Sequence, residues 1–147
     1  MKILAIASAG GHWVQLLRLK PAFEGHELIY ASTKKSFADT VKGYQFYDIP
    51  DASRWNKLKL IYSLLCVFKL IFSLRPNIII TTGAAPGLMG IIAGKMIGAK
   101  TVWVDSIANV ENLSMSGKIA ASIADKSYTQ WPDLSNKKVT FSGNVLS

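Results

Sequence analysis

The sequence predicts an α/β fold, a doubly wound parallel sheet, on three observations. Short β-rich runs alternate with longer helical patterns along the 147 residues, and such alternation builds a parallel sheet with helices on both faces. Ile78-Ile79-Ile80 and Thr101-Val102-Trp103-Val104 place apolar or β-branched side chains on both faces of a strand, as the central strands of a parallel sheet require. Half the residues are apolar or aromatic and 18% are charged. That composition suits one domain with a buried core and excludes disorder, collagen-like repeats and coiled coil.

The first strand is expected over residues 2–8. Its apolar run follows a single basic residue and meets Gly10-Gly11, too soon for the core of a signal peptide. Further strands are predicted over 27–32, 45–49, 77–82, 100–105 and 126–130, with 139–141 a weaker last one. Helical periodicity covers 12–23, 36–42, 57–74, 86–97 and 114–123. No internal repeat, low-complexity tract or long linker interrupts this pattern, so residues 1–147 read as one domain.

Topology then locates the chemistry. Open parallel sheets bind ligands beyond the carboxyl ends of their strands, where strand order reverses. If the order is 3-2-1-4-5, the loops after strands one and four face one crevice. These loops are Ser8-Ala9-Gly10-Gly11-His12 and Thr82-Gly83-Ala84-Ala85-Pro86-Gly87. Glycine lets backbone N–H groups approach an oxyanion, and each loop opens a helix with a partly positive start. Gly10, Gly11, Gly83, Ala84, Pro86 and Gly87 are therefore substrate-binding candidates, although sharp strand-to-helix turns alone also favour glycine. Pro86 suits a first helical turn. Neither loop has the Gly-Lys-Ser/Thr of a P-loop, and Gly10-Gly11 lacks the third glycine of a dinucleotide fingerprint. Strand five ends at Asp105-Ser106 beside the same crevice. The single cysteine, Cys66, with two histidines suggests neither a disulfide nor a structural metal set. No metal or cofactor is expected.

His12 can take a proton as a neutral imidazole at a helix start, or simply cap the helix or bond a phosphate. Asp105 can act in catalysis, or order the loop from Asn109 to Ser114. Both readings stay open at this point.

Net charge is +8 with a pI near 9.7, which points to a polyanionic partner. Residues 1–75 hold 11 Lys and Arg against 5 acids, and 76–147 hold 6 against 4. The basic half contains the most apolar helix, near 57–75, flanked or punctured by Lys57, Lys59, Lys69 and Arg75. Lys69 argues against a membrane crossing. The pattern suits a helix lying in the headgroup region, with Phe68, Ile71 and Phe72 entering lipid, or a helix that covers the sheet and meets a partner subunit. Nucleic acid ranks below both, because the positive charge accompanies aliphatic side chains.

Taken together, Ser8-Ala9-Gly10-Gly11-His12-Trp13-Val14-Gln15-Leu16, Thr81-Thr82-Gly83-Ala84-Ala85-Pro86-Gly87, Asp105-Ser106-Ile107-Ala108-Asn109-Val110, Leu113-Ser114-Met115-Ser116-Gly117-Lys118 and Thr129-Gln130-Trp131-Pro132 resemble the Alg14 family of oligosaccharide-biosynthesis proteins. Within that family the chain is most similar to the bacterial PssD type of capsule and exopolysaccharide assembly.

The resemblance implies the N-terminal, acceptor-binding half of a MurG-like GT-B glycosyltransferase, held at the cytoplasmic face of the cell membrane. A separate Alg13-like, PssE-type chain would hold the UDP-sugar donor, and the present chain alone would be inactive. Phe141-Ser142-Gly143-Asn144-Val145-Leu146-Ser147 resembles the interdomain junction of the fused enzymes. The acceptor would be a polyprenyl-diphosphate-linked sugar, and the transferred sugar N-acetylglucosamine or glucuronic acid. His12 matches the histidine of the Gly-Gly-His loop in the MurG-like enzymes. Asp105, Ser106 and Asn109 stand where many relatives carry Glu-Ser-Phe-Ala-Arg, so the shorter carboxylate and missing arginine mark a departure. A scaffold that only recruits the catalytic chain is the alternative from another class, and a free-standing nucleotide-binding enzyme is a third reading.

Overall fold

The computed structural model describes residues 1–51, 56–109 and 111–143. The strands are β1 (Lys2–Ala7), β2 (Glu27–Ser32), β3 (Gln45–Asp48), β4 (Ile78–Thr81), β5 (Lys100–Val104), β6 (Lys126–Thr129) and β7 (Thr140–Phe141). They form one sheet in the order β3-β2-β1-β4-β5-β6-β7, every pair parallel. β1 and β4 are neighbours at the centre, and the connection reverses direction between them.

The helices are α1 (Gly11–Arg18), α2 (Lys57–Leu74), α3 (Ala84–Met96) and α4 (Met115–Ile123). Side chains alternate across the sheet to build two layers. Ile3, Ala5, Leu28, Tyr30 and Ile80 pack with Trp13 and Leu16 of α1 on one face. Leu4, Ile6, Ile29 and Ile79 pack with Val67 and Ile71 of α2 and Ala93 of α3 on the other. Leu4, Ala5, Ile6 and Ala7 are fully buried, so the first residues form the middle of the sheet, as the apolar run predicts.

Two predicted helices differ. Residues 12–23 do not form one α-helix: α1 stops at Arg18 and a 3₁₀ turn follows over Lys20–Phe23. Pro21 accounts for the break, because it lacks an N–H and disfavours the α conformation of the residue before it. The predicted 36–42 helix is a 3₁₀ segment, Lys35–Val41, that buries only Val41 among its seven residues. Val41 and the half-buried Phe37, stacked on Trp13 at 5.2 Å, anchor it, which is little support for a full amphipathic face.

α2 spans the predicted 57–74 and begins where the Asn56 side chain accepts the Lys59 N–H at 3.1 Å, a standard N-cap. Its buried stripe is Ser63, Val67 and Ile71. Ile71 is therefore a core residue and does not enter lipid, and Phe68 is half-buried against the same layer. The outward apolar residues are Leu58, Ile61, Tyr62, Leu65 and Phe72, at the three- and four-residue spacing of the opposite helix face.

α3 packs tightly on the sheet. A Cβ at Gly94 would lie 2.6 Å from Ile79 Cδ1, and one at Gly87 would collide with Thr81 Oγ1. These glycines let the helix approach the central strands closely.

Candidate functional site

The two glycine-rich turns meet. His12 Nδ1 lies 3.1 Å from the Thr82 carbonyl, and the Thr82 hydroxyl donates to the His12 carbonyl. The loop after β1 and the loop after β4 are thus fastened to each other across the switch point. A carbonyl oxygen only accepts, so Nδ1 carries the proton in this contact. In the neutral ring Nε2 then holds the lone pair, and it has no hydrogen-bond partner among the described residues. Thr33 steadies the first loop from the side, its hydroxyl accepting the Ala9 N–H at 3.1 Å.

Gly10 and Gly83 are the N-caps of α1 and α3, with φ of 87° and 137°. Neither cap supplies a side-chain acceptor, and neither helix has an acid in its first turn. Two helix starts with first-turn amides not satisfied by a cap, one from each face, therefore meet at the carboxyl edge of the sheet, an arrangement that favours anions. Gly83 admits no side chain: its Cβ would stand 2.7 Å from His12 Nδ1.

The remaining candidates separate into surface and support. Gly10 and Gly11 are exposed, and Ala84 is the first residue of α3. Pro86 and Gly87 are buried beneath the turn, Gly87 against Thr81. Ser106 is 8% exposed. Its Oγ accepts from Gln15 Nε2 at 3.2 Å and from the Ala108 N–H at 3.2 Å. Asn109 is half-buried and donates to Asp105 Oδ2 at 3.1 Å.

Asp105 is 1% exposed. Its carboxylate accepts from the Trp103 indole at 3.1 Å, the Ser114 hydroxyl at 2.7 Å, the Ser114 N–H at 3.1 Å and Asn109. Ser114 in turn caps α4, accepting the Gly117 N–H at 2.8 Å. A Cβ at Gly117 would collide with Asp105 Oδ1. Of its two readings, this geometry favours the one in which Asp105 orders the loop to Ser114 and the start of α4.

Sequence reasoning assigned no role to Gln15 or Gln130. Gln15 Oε1 accepts from the Ile107 N–H at 3.0 Å and from Gln130 Nε2 at 2.6 Å, and Gln130 Nε2 also donates to the Asp105 carbonyl at 2.9 Å. The available signal was phase: Gln15 stands between Trp13 and Leu16, on the face of α1 that is buried. Trp131 donates from its indole to the Ile107 carbonyl at 2.7 Å. Val110 and residues 144–147 of the junction-like segment lie outside the described residues.

Comparison with known proteins agrees with this architecture. The human UDP-N-acetylglucosamine transferase subunit ALG14 is 26% identical over 184 residues, covering 99% of this chain and 83% of the relative. The Schizosaccharomyces pombe subunit alg14 is 41% identical over 70 residues, covering 42% of this chain and 32% of the relative. Among solved structures, Acinetobacter baumannii MurG superposes with a TM-score of 0.78 at 12% identity over 98% of this chain. Staphylococcus aureus MnaA in complex with UDP gives 0.73 at 15% identity over 99%. The chain spans 46% of each of those two chains, and the likeness establishes the fold. The profile described as oligosaccharide biosynthesis protein Alg14 like matches residues 47–145, and the chain belongs to that family.

Proposed function

We propose that this chain is the acceptor-binding subunit of a two-chain UDP-sugar glycosyltransferase that acts on a polyprenyl-diphosphate-linked sugar at the cytoplasmic face of a membrane. Residues 1–147 serve as one Rossmann-like domain, and an Alg13-like chain of the PssE type holds the nucleotide sugar. The ALG14 relatives are named as subunits of a UDP-N-acetylglucosamine transferase, which supports a transferase that needs a second chain.

In this reading the acceptor diphosphate lies at the paired starts of α1 and α3. His12 Nε2 takes the proton of the acceptor hydroxyl as that oxygen bonds to the anomeric carbon and UDP departs. The observation that carries the reading is the His12–Thr82 contact. It selects the tautomer with a free lone pair on Nε2, between two helix starts suited to anions. Asp105 supports the wall of the cleft.

Membrane attachment rests on α2. Among the described residues no helix is long and apolar enough to cross a membrane. Leu58 is 80% exposed and Leu65 63%, with Ile61 and Tyr62 beside them and exposed Lys57, Lys59 and Lys69 around them. Apolar residues rimmed by lysine suit an anionic headgroup layer. All helices that follow parallel strands start at the carboxyl edge of the sheet, so this end of α2 lies at the same edge as the cleft. A lipid-linked acceptor could then reach the cleft without leaving the bilayer.

The test is reconstitution with the Alg13-like chain, a lipid-linked acceptor and UDP-sugars. Transfer is expected with both chains and not with this one alone, and His12→Ala should lower kcat by about 10²- to 10⁴-fold with complex formation intact. Full transfer by the His12→Ala complex would leave a recruiting scaffold as the better description. Transfer by the isolated chain would overturn the subunit reading.

A further inference from the structure

We propose that Gln15 and Gln130 are positioning residues that hold the 106–109 loop, with Ser106 and Asn109, against α1 as the acceptor-side wall of the cleft. Both carboxamides are buried, at 6% and 2% exposure. They come from elements 115 residues apart in sequence and meet at 2.6 Å. Two adjacent buried amides are a costly filling for a space that methionine or leucine would occupy without desolvation.

Their hydrogen bonds show what they hold. The chain leaves the sheet after β5, and its backbone groups lose their ladder partners. Gln15 takes the Ile107 N–H, Gln130 takes the Asp105 carbonyl, Trp131 takes the Ile107 carbonyl, and Gln15 Nε2 reaches Ser106 Oγ. Asp105 fixes the far side of the loop through Asn109 and Ser114. Residue 107 is thereby gripped at both its N–H and its C=O, while Ala108 stays exposed and Asn109 half-exposed.

Gln15 follows His12 by one turn of the same helix. A rigid element therefore sets the spacing between the proposed proton acceptor and the loop, where two independently mobile loops would not.

The kinetic part of the test rests on the transferase reading, and the exchange part does not. Gln15→Met keeps the length and removes every hydrogen bond. Gln15→Glu keeps two acceptor oxygens, toward which the Ser106 hydroxyl can turn and donate. In the full chain, Gln15→Met should raise hydrogen exchange at the Ile107 amide about tenfold or more, with the Leu4 amide of β1 as the internal reference. In the reconstituted complex the same variant should raise KM for the lipid-linked acceptor about tenfold, leave KM for the UDP-sugar unchanged, and be rescued by Gln15→Glu.

Unchanged Ile107 exchange in Gln15→Met, or equal rises in both KM values, would overturn the proposal. If the wild-type pair shows no transfer at all, the functional reading falls while the exchange result still decides the clamp. If Gln15→Met does not fold, Gln130→Met, which frees the Asp105 carbonyl, is read by the two KM values, and equal rises in both or none in either would overturn the proposal.

Discussion

At the scale of single residues, the site depends on a side chain that is missing. Gly83 faces the His12 ring with no room for a methyl group, and its φ of 137° is one that other residues rarely adopt. Gly83→Ala must displace the imidazole or the turn. It should cost about 1–3 kcal/mol of stability and lower transfer about tenfold or more, because a shift of an ångström at a reacting group has that effect. Thermal denaturation and steady-state kinetics of the reconstituted pair check the two parts. A variant with normal transfer would detach the His12–Thr82 contact from function. Two polar groups in the same region have different fates for a physical reason. His12 is half-exposed with one ring nitrogen occupied, whereas the Asp105 oxygens are enclosed by four donors.

Among the elements, α2 carries the surface that departs most from an ordinary soluble helix. It seats on the sheet through Ser63, Val67 and Ile71 with Leu60, Leu64 and Phe68 beside them, and it leaves a second apolar stripe outside. Replacing Leu58 and Leu65 by Ser should weaken binding to vesicles of anionic phospholipid about tenfold or more, since each buried side chain contributes about 1.5–3 kcal/mol. Thermal stability should stay unchanged, because neither residue belongs to the core. Sedimentation with vesicles reads the first outcome and circular dichroism the second. Undiminished vesicle binding would favour a partner subunit as the cover of this face.

The same element shows how far the sequence could be read. Its limits were legible from the apolar run and the lysines that bound it. Its rotational phase was not, because both of its faces are apolar and nothing in the chain distinguishes Ile71 from Phe72. Likewise the two glycine turns were legible from topology alone, since a parallel sheet leaves few places for them to go. For the Gln15–Gln130 pair only the phase of Gln15 on α1 was legible, because most of its partners are backbone groups of a loop, which no side-chain pattern announces.

For the molecule as a whole, stability is shared between the apolar layers and a polar tie at the amino edge of the sheet. Asp125 accepts from Lys95 Nζ at 2.9 Å and from the Thr101 N–H at 2.8 Å. The hydrogen bond from Lys95, then that from Thr101, holds its carboxyl below the usual carboxylate range. The folded chain therefore releases this proton more readily than the unfolded one. The contribution is complete above about pH 4, the ordinary carboxylate value, and fades as pH falls through the lowered one. Denaturant unfolding of wild type and Asp125→Asn should differ most near neutral pH and converge under acid conditions. A gap that widened on acidification would contradict the assignment.

Met1 is 67% exposed and precedes the start of β1, on the rim of the sheet opposite His12. A biotin or short peptide handle grafted there would orient the protein on a sensor chip with its anion-facing mouth toward the flowing solution. Analyte capture could then be measured with no steric shadow from the support.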